Sequence, residues 1–318
     1  MRNAFADEVT SLAQEKDNLV LLSGDIGNRL FDKFKEKAGP RFLNCGVAEA
    51  NMVSMASGLA MSGMRPITYT ITQFMTSRCL EQIRDDVCYQ NVPVIIVGVG
   101  SGLGYASLGP THHSCEDVAF MRALPNMTVT CPGDALEVRA ILRQATAHDG
   151  PVYMRLGKKN EPVIHESVPD ITLGRGLILR EGDDVALFTT GSTLPLAVEV
   201  ADKLSSQNVT TRLVSMHTVK PLDTDLIEQS FKSKRVVVTL EEHSLIGGLG
   251  AAFAEWLADN GPQKAGLYRV GTSDEFLDKS GGVAYARFHF GITEEAIVSG
   301  ILDRLNSSAN ASVHAQPS

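Results

Sequence analysis

Short apolar runs with the length of buried strands alternate with helical segments along most of this 318-residue chain. Clear examples are NLVLLS at 18–23, PVIIVG at 93–98 and RVVVTL at 235–240. Continuous apolar runs of this length are typical of parallel strands that are covered on both faces. The alternation therefore predicts an α/β fold with mostly parallel sheets and right-handed crossovers.

The strand and helix pattern is interrupted once, which predicts two consecutive three-layer α/β domains. Residues 160–183 are polar and include Pro162, Pro169 and several glycines, and the pattern resumes at Asp184. We predict a first domain at 1–160, a linker at 161–183 and a second domain at 184–305. The final stretch, 306–318, is polar and of low complexity, and we expect a flexible tail there.

Composition argues against several classes of protein. The formal net charge is −8 and the basic residues are scattered, whereas a nucleic-acid surface would show a basic stripe. No run reaches the ~18 apolar residues of a membrane span, and the acidic, amphipathic start is unlike a signal peptide. The 5 cysteines form no C-x-x-C pair. We expect a cytoplasmic protein with no nucleic-acid or membrane partner and no metal site of its own.

One carboxylate, Glu49, begins a helical segment that otherwise contains only small and apolar residues. No other acid lies between Glu36 and Glu81, and the positions at helical spacing after Glu49 are apolar. The structural interpretation is a helix-dipole interaction, which favours an acid in the first turn by about 0.3–1 kcal/mol. The functional interpretation is a carboxylate kept away from water. This segment alone leaves both open.

Further candidates follow the predicted strands, at the edge where open α/β sheets bind ligands. Asp25 comes directly after the first strand, where a turn or capping role is the alternative. Phe74, Arg78 and Gln82 belong to the segment FMTSRCLEQIRD. A core aromatic and a solvated helical face are the alternatives for these three.

A glycine-rich loop, GVGSGLGYASLGPTHHS at 98–114, follows another buried strand. Its G-x-G spacing is not taken as a dinucleotide fingerprint, because no long helix with a ribose-binding acid follows. We predict that the loop forms a site wall, with the imidazoles of His112 and His113 at its end. Lys158 lies just past a later strand, where it could meet an anion or stay solvated.

Several stretches, taken in order, resemble the C-terminal half of transketolase. They are GVAEANMVSMASGLA, FMTSRCLEQIRD, GPTHHSCEDVAFMRALPNM, PVYMRLGKKN and EEHS with GGLG. The resemblance covers about residues 3–305 and is greatest to the small subunit of split, two-chain transketolases. It implies a pyrimidine-binding domain followed by the C-terminal α/β domain of that family.

The resemblance implies thiamine diphosphate as cofactor. Glu49 matches the family glutamate that hydrogen-bonds a pyrimidine nitrogen and promotes the imino tautomer, so that the cofactor's own amine acts as base. Phe74 matches the aromatic that stacks on the pyrimidine, and Asp25 matches an acid at the cofactor interface. Arg78 and Gln82 fall in the matching segment and are implied to support the cofactor site.

On the substrate side, His112 matches the histidine of the G-P-T-H motif, which faces the reacting carbonyl. Leu108 stands where an aspartate commonly contacts substrate hydroxyls, and Gly100 aligns with a basic residue that meets phosphate. Lys158 replaces an arginine and loses its bidentate fork. We count His113 among the candidate substrate contacts. These departures predict an atypical donor or acceptor: a less phosphorylated sugar, a nucleotide-linked sugar or a 2-oxoacid-derived acyl unit.

The family holds the diphosphate and a divalent metal, Mg or Ca, with a G-D-G motif that this chain lacks. The resemblance therefore implies an obligate partner subunit that carries G-D-G, in an α2β2 heterotetramer that transfers a two-carbon ketol unit between small carbonyl substrates. One alternative is the β subunit of a 2-oxoacid dehydrogenase or a decarboxylating acyl-transfer enzyme. Another is a non-catalytic binding or regulatory subunit.

Overall fold

The computed structural model describes residues 1–313 and contains two sheets. The first sheet has seven strands in the order β10-β5-β6-β4-β3-β1-β2. These are β1 (Leu19–Ser23), β2 (Phe42–Asn44), β3 (Arg65–Ile71), β4 (Ile95–Val99), β5 (Thr128–Thr130), β6 (Val152–Leu156) and β10 (Thr218–Lys220). All neighbours are parallel except β10, which runs antiparallel to β5.

Helices cover both faces of the first sheet. They are α1 (Arg2–Glu15), α2 (Asp32–Ala38), α3 (Glu49–Met61), α4 (Thr72–Thr76), α5 (Leu80–Gln82), a π-helical segment (Ile83–Tyr89), α6 (Asp117–Ala123) and α7 (Ala135–Ala145). Strand β1 shows how the two layers form, because alternate side chains point to opposite faces. Leu19 and Leu21 join the core under α1, α2 and α7, whereas Val20 and Leu22 join the core under α3 and α6.

The second sheet has five strands in the order β12-β11-β8-β9-β7. Its strands are β7 (Leu177–Arg180), β8 (Val185–Thr189), β9 (Thr211–Ser215), β11 (Val236–Ser244) and β12 (Gly266–Thr272). Its helices are α8 (Leu194–Ser205), α9 (Thr224–Ser233), α10 (Leu249–Asn260), α11 (Val283–His289) and α12 (Glu294–Val313). Only β7 is antiparallel to its neighbour. The predicted architecture of two mostly parallel α/β units is confirmed.

Three elements depart from the sequence-based boundaries. Strand β7 lies inside the predicted linker 161–183 and pairs with β9 at the sheet edge, where its half-exposed residues give no apolar run. Helix α11 was not predicted. Within the predicted flexible tail at 306–318, α12 continues to Val313, and residues 314–318 lie outside the described part.

The two domains share structure rather than only touching. Strand β10 belongs to the second half of the chain but extends the first sheet beside β5. One continuous apolar core contains Met121 and Val129 of the first domain together with Phe188 and Val214 of the second. No helix within residues 1–313 combines the length and apolar character needed to cross a bilayer.

The segment after the first domain is tied to α7 by two acids. Asp134 Oδ1 accepts hydrogen bonds from the backbone N–H groups that begin α7, and its Oδ2 accepts from the N–H groups of Ile164 and His165 at 2.9 and 3.0 Å. His165 Nε2 lies 2.9 Å from Glu137 Oε1. The hydrogen bond to Glu137 raises the pKa of His165 above its ordinary value.

This pair predicts a pH-dependent contribution to stability. Because the folded-state pKa of His165 is raised, the stabilisation is fully present below about pH 6.5, the ordinary histidine value, and is lost as the pH rises through the raised value. Urea denaturation of wild type and His165→Gln across pH 6 to 9 measures it. The midpoint difference between the two proteins should shrink as the pH rises. A constant difference would contradict the assignment.

Candidate active site

The predicted site residues lie at the carboxyl edge of neighbouring parallel strands. Strands β6, β4, β3, β1 and β2 are adjacent in the first sheet, so the loops after them emerge side by side. Along the chain these loops and helix starts supply Asp25, Glu49, Phe74, Arg78, Gln82, the 98–114 loop and Lys158. Residues far apart in sequence are brought together because parallel strands end on one side.

Glu49 is the first residue of α3, and its side chain is 5% exposed. The helical face that follows it is buried, as the sequence pattern predicted. Arg78 Nη1 donates to Glu49 Oε2 at 2.8 Å, and the Arg78 side chain is 46% exposed. Glu49 Oε1 accepts no hydrogen bond from any described residue. A shielded carboxylate with one oxygen engaged and the other free can accept a further N–H or O–H donor.

Arg78 lies in a break between two helices and not on one continuous helical face. Helix α4 ends at Thr76, and a turn at 77–79 carries Arg78 before α5 begins. Thr76 Oγ1 donates to the Thr72 carbonyl at 2.9 Å, and Ser77 Oγ donates to the Gln73 carbonyl at 2.8 Å. Hydroxyls that bond back to the preceding turn bend or end helices. The break turns Arg78 towards α3 instead of along a solvated helical face.

Three aromatic rings continue from this ion pair, and we call them the aromatic row: Phe74, His112 and Tyr105. The Arg78 guanidinium carbon lies 4.4 Å from the centroid of Phe74, within cation–π range. The Phe74 and His112 centroids are 5.2 Å apart, and those of His112 and Tyr105 are 6.2 Å apart, both edge to face. Lys158 Nζ lies 4.5 Å from the centroid of Tyr105. The row thus has a cation at each end.

The ionisable groups around the row differ in charge. Burial raises the pKa of Cys79, beside Arg78, to about 12, and the Glu49 charge adds to this, so Cys79 stays a neutral thiol. Burial also raises the pKa of Tyr105, whose phenol stays neutral. His112 Nδ1 lies 3.0 Å from Thr111 Oγ1. The row therefore has the Glu49–Arg78 pair at one end and Lys158 at the other, and the charge of Arg2 also acts on Tyr105.

Asp25 lies at the same edge but is exposed. Its Oδ1 accepts a hydrogen bond from Asn44 Nδ2 at 3.1 Å, and its backbone N–H donates to the Gly46 carbonyl at 3.1 Å. These contacts hold the loop after β1 against the loop after β2, which leads into Glu49. Asp25 is placed to face a ligand or a partner chain rather than the protein interior.

Some predicted site residues do not contact the Glu49–Arg78 pair or the aromatic row. His113 is 7% exposed, and its Nε2 lies 3.3 Å from the Ala106 carbonyl, so it is held under the loop, whereas His112 belongs to the aromatic row. Gln82 is half-buried in α5 and makes no side-chain hydrogen bond within residues 1–313. Leu108 is 52% exposed at the loop tip, where it offers an apolar surface and no hydrogen bond.

Gly100, aligned by sequence with a phosphate-binding residue, has no room for a side chain. Its φ is +78°, and a Cβ would lie 1.9 Å from Cε2 of Tyr105. The Tyr105 ring fills the space that a side chain at 100 would need. Tyr105 was missed by sequence reasoning, although it is the single tyrosine in the 98–114 loop.

Buried oxygens at the end of β3 lack partners. Thr70 Oγ1, Thr72 Oγ1 and Gln73 Oε1 are inaccessible and have no hydrogen-bond partner among the described residues. Buried polar groups are normally paired, so these three are exceptions at the carboxyl end of β3. Thr70 Oγ1 and Glu49 Oε1 lie near each other, because a Cβ on Gly24 would be 3.0 Å from the first and 3.9 Å from the second.

The family model for the transketolase pyrimidine-binding domain matches residues 1–163, and that for the transketolase C-terminal domain matches residues 174–297. The chain belongs to the transketolase family. Its two domains correspond to these models, as the sequence resemblance predicted. Membership of this family makes the chain part of a transferase.

Relatives of similar length are single subunits of transketolases. The chain is 38% identical to a 6-deoxy-6-sulfo-D-fructose transketolase subunit from a Clostridium species, over 94% of this chain and 92% of that one. It is 35% identical to an apulose-4-phosphate transketolase subunit from Actinobacillus succinogenes, over 81% and 83%. Among solved structures, a split gene transketolase described as an inactive beta4 tetramer matches with a TM-score of 0.87 and 34% identity, covering 96% and 97%.

The close approach of the Tyr105 ring to Gly100 predicts that substitutions at these two positions have coupled effects on stability. Gly100→Ala should lower stability because the new Cβ requires both a strained φ and displacement of the ring. Replacing Tyr105 by Ala in the same chain removes the second cause. Thermal midpoints of the two single variants and the double variant should show a double-variant loss smaller than the sum. Additive losses would contradict the contact.

Proposed function

We propose that this chain is the small subunit of a two-chain, thiamine-diphosphate-dependent transketolase and supplies the pyrimidine side of its active site. The observation that carries the proposal is the buried Glu49 carboxylate, with Oε2 on Arg78 and Oε1 free, beside the aromatic row. The reaction is the transfer of a two-carbon ketol unit between small carbonyl compounds.

The residues present fit the pyrimidine end of thiamine diphosphate. The free oxygen of Glu49 suits an N–H donor, and Phe74 offers an aromatic face. When bound, thiamine diphosphate supplies a nucleophilic carbon that attacks a ketose carbonyl. No cluster of three or more metal-ligating side chains occurs in residues 1–313. In this proposal the partner holds the diphosphate and the divalent metal, Mg or Ca.

Each residue has a role in this proposal. Glu49 holds a proton-bearing ring nitrogen in a dry setting, where a charge-assisted hydrogen bond is stronger than in water. Arg78 keeps that carboxylate oriented and partly compensates its charge. His112, in the middle of the aromatic row, exchanges protons with the oxygen of the reacting carbonyl. Asp25 faces the cofactor from the loop after β1.

The substrate face supports an atypical sugar. Leu108 presents an apolar surface at the loop tip, and Tyr105 stands in the space beside Gly100 where a longer side chain would reach for phosphate. Losing one charge-assisted hydrogen bond typically costs about 1.5–3 kcal/mol of binding. Lys158 remains as a single cation above Tyr105. The named substrates of two relatives, a sulfo-sugar and apulose 4-phosphate, are also not ordinary pentose phosphates.

The partner in this proposal is a subunit that carries the G-D-G motif, in an α2β2 assembly in the cytoplasm. Apolar side chains are exposed on and beside α3: Val47, two residues before Glu49, is 80% exposed, and Met55 and Met61 of α3 and Tyr89 of the π-helical segment are also exposed. A docked chain would cover this apolar surface and shield Glu49 further. The description of a related split gene transketolase as an inactive beta4 tetramer agrees with a need for a second kind of chain.

Replacing the carboxylate tests the central claim. In the complex with the partner, Glu49→Gln should keep assembly but lower kcat by at least about 100-fold, since it removes a charged acceptor of the proton-transfer network. Glu81→Gln, an exposed acid in the neighbouring helix α5, is the control and should leave kcat unchanged. Ketol transfer is measured with a ketose donor. Undiminished turnover in Glu49→Gln would refute the catalytic role.

The dependence on a partner gives a second prediction. Calorimetry on the isolated chain should show weak binding of thiamine diphosphate with Mg²⁺, and addition of the partner subunit should restore tight binding. Tight, metal-dependent binding by the chain alone would overturn the two-chain proposal. If the complex instead releases carbon dioxide from pyruvate without ketol transfer, the reaction assigned here is wrong.

A further inference from the structure

The loop that carries His112 is closed at its base. Gly102 and Ser114 exchange backbone hydrogen bonds, each N–H donating to the other's carbonyl at 2.9 Å. We call this pair the neck. The residues between them include Tyr105 and His112, so the geometry of the aromatic row depends on where the neck is held.

The second domain holds the loop at the neck through one buried carboxylate. Glu242 in β11 accepts a hydrogen bond from the Leu103 backbone N–H on Oε1 at 2.7 Å. Its Oε2 accepts from Arg287 Nε of α11 at 2.7 Å, and Arg287 Nη2 donates to the Ser192 carbonyl at 3.1 Å. Both oxygens of Glu242 are thus engaged, one on the loop and one on the second domain.

Close packing of Gly102 on β11 and hydrogen bonds from the Arg155 side chain also hold the neck. Gly102 has a φ of +57°, and a Cβ there would lie 2.6 Å from the Glu242 carbonyl oxygen, so the loop rests directly on β11. The buried guanidinium of Arg155 donates to the carbonyls of Ser114 and Glu242, both at 2.9 Å. Arg155 is itself fixed by Asp117, whose Oδ2 accepts from its Nε at 2.8 Å.

The loop also contacts the second domain nearer its tip. Ser280 Oγ donates to the Ser107 carbonyl at 2.8 Å, and Ala106 packs against Leu277 and Ala286. A buried ion pair adds little net stability, because desolvation offsets the attraction, but it fixes the positions of the groups that it joins. The arrangement therefore determines loop geometry more than it stabilises the fold.

We propose that Glu242 and Arg287 are positioning residues that set the place of His112 through the neck. The proposal rests on the proposed function, since it assigns a role to the second domain in the same reaction. A carboxylate on Leu103 N–H keeps the loop in one register, so that His112 faces the reacting carbonyl without a separate ordering step. Small displacements of a catalytic group cost large factors in rate.

The experiment uses the complex with the partner subunit and compares Glu242→Gln with Glu241→Gln. Glu241 is the matched control: it is the preceding residue in β11, is equally buried, and accepts from Leu249 N and Gly250 N at the start of α10 rather than from the loop. Glu242→Gln should lower kcat at least 10-fold with unchanged cofactor affinity. Glu241→Gln should lower the thermal midpoint and leave kcat unchanged. Arg287→Met, at a half-exposed position, should reproduce the loss of kcat if Glu242→Gln fails to fold.

A double-variant cycle shows whether the effect passes through His112. In a His112→Ala background, Glu242→Gln should cause no further loss of kcat. Multiplying losses, or full kcat in both Glu242→Gln and Arg287→Met, would overturn the proposal.

A second readout does not depend on activity. Hydrogen exchange of the 103–113 amides should be faster in Glu242→Gln than in Glu241→Gln, and equal exchange would also overturn the proposal. If the wild-type complex shows no ketol transfer, the proposed function fails, and the exchange comparison still decides whether Glu242 holds the loop.

Discussion

The ion pair between Glu49 and Arg78 is the interaction on which the site depends. A carboxylate that is 5% exposed needs compensation, and it receives it from the N-terminus of α3 and from one guanidinium at 2.8 Å. The guanidinium is in place only because the chain turns between α4 and α5. The same turn sets Phe74 under Arg78, so the charge, the ring and the break in the helix form one unit. In the proposed function, the free oxygen of Glu49 is the part of that unit that meets the ligand.

The aromatic row extends the influence of this ion pair across the edge of the sheet. Phe74 comes from the element after β3, whereas His112 and Tyr105 come from the loop after β4, and Lys158 follows β6. Edge-to-face contacts between rings favour particular orientations, so a shift of one ring changes the preferred orientation of its neighbour. The cofactor side and the substrate side of the proposed site are therefore mechanically connected, and the second domain enters through the loop that both share.

Much of the fold and part of the site could be predicted from sequence, for physical reasons that differ by residue. Apolar runs and helical spacing report burial directly, so the parallel strands and the buried face behind Glu49 could be predicted. The roles of Tyr105 and His113 could not be predicted, because adjacent residues in a loop point in different directions. Only the packed loop shows that His112 faces out and His113 faces in. Strands β7 and β10 are short and owe their pairing to distant partners, which local patterns do not encode. The continuation of α12 beyond residue 305 was hidden by its polar composition.

Strand β10 has a consequence for how a protein of this kind can be divided between genes. Because a piece of the second domain completes the first sheet beside β5, separating the two domains would leave an unpaired strand edge and cut through a shared apolar core. The segment between the domains is therefore a poor place for a break, even though its composition is that of a linker. The shared sheet and core therefore favour moving the two domains together, as one unit, from one polypeptide to another.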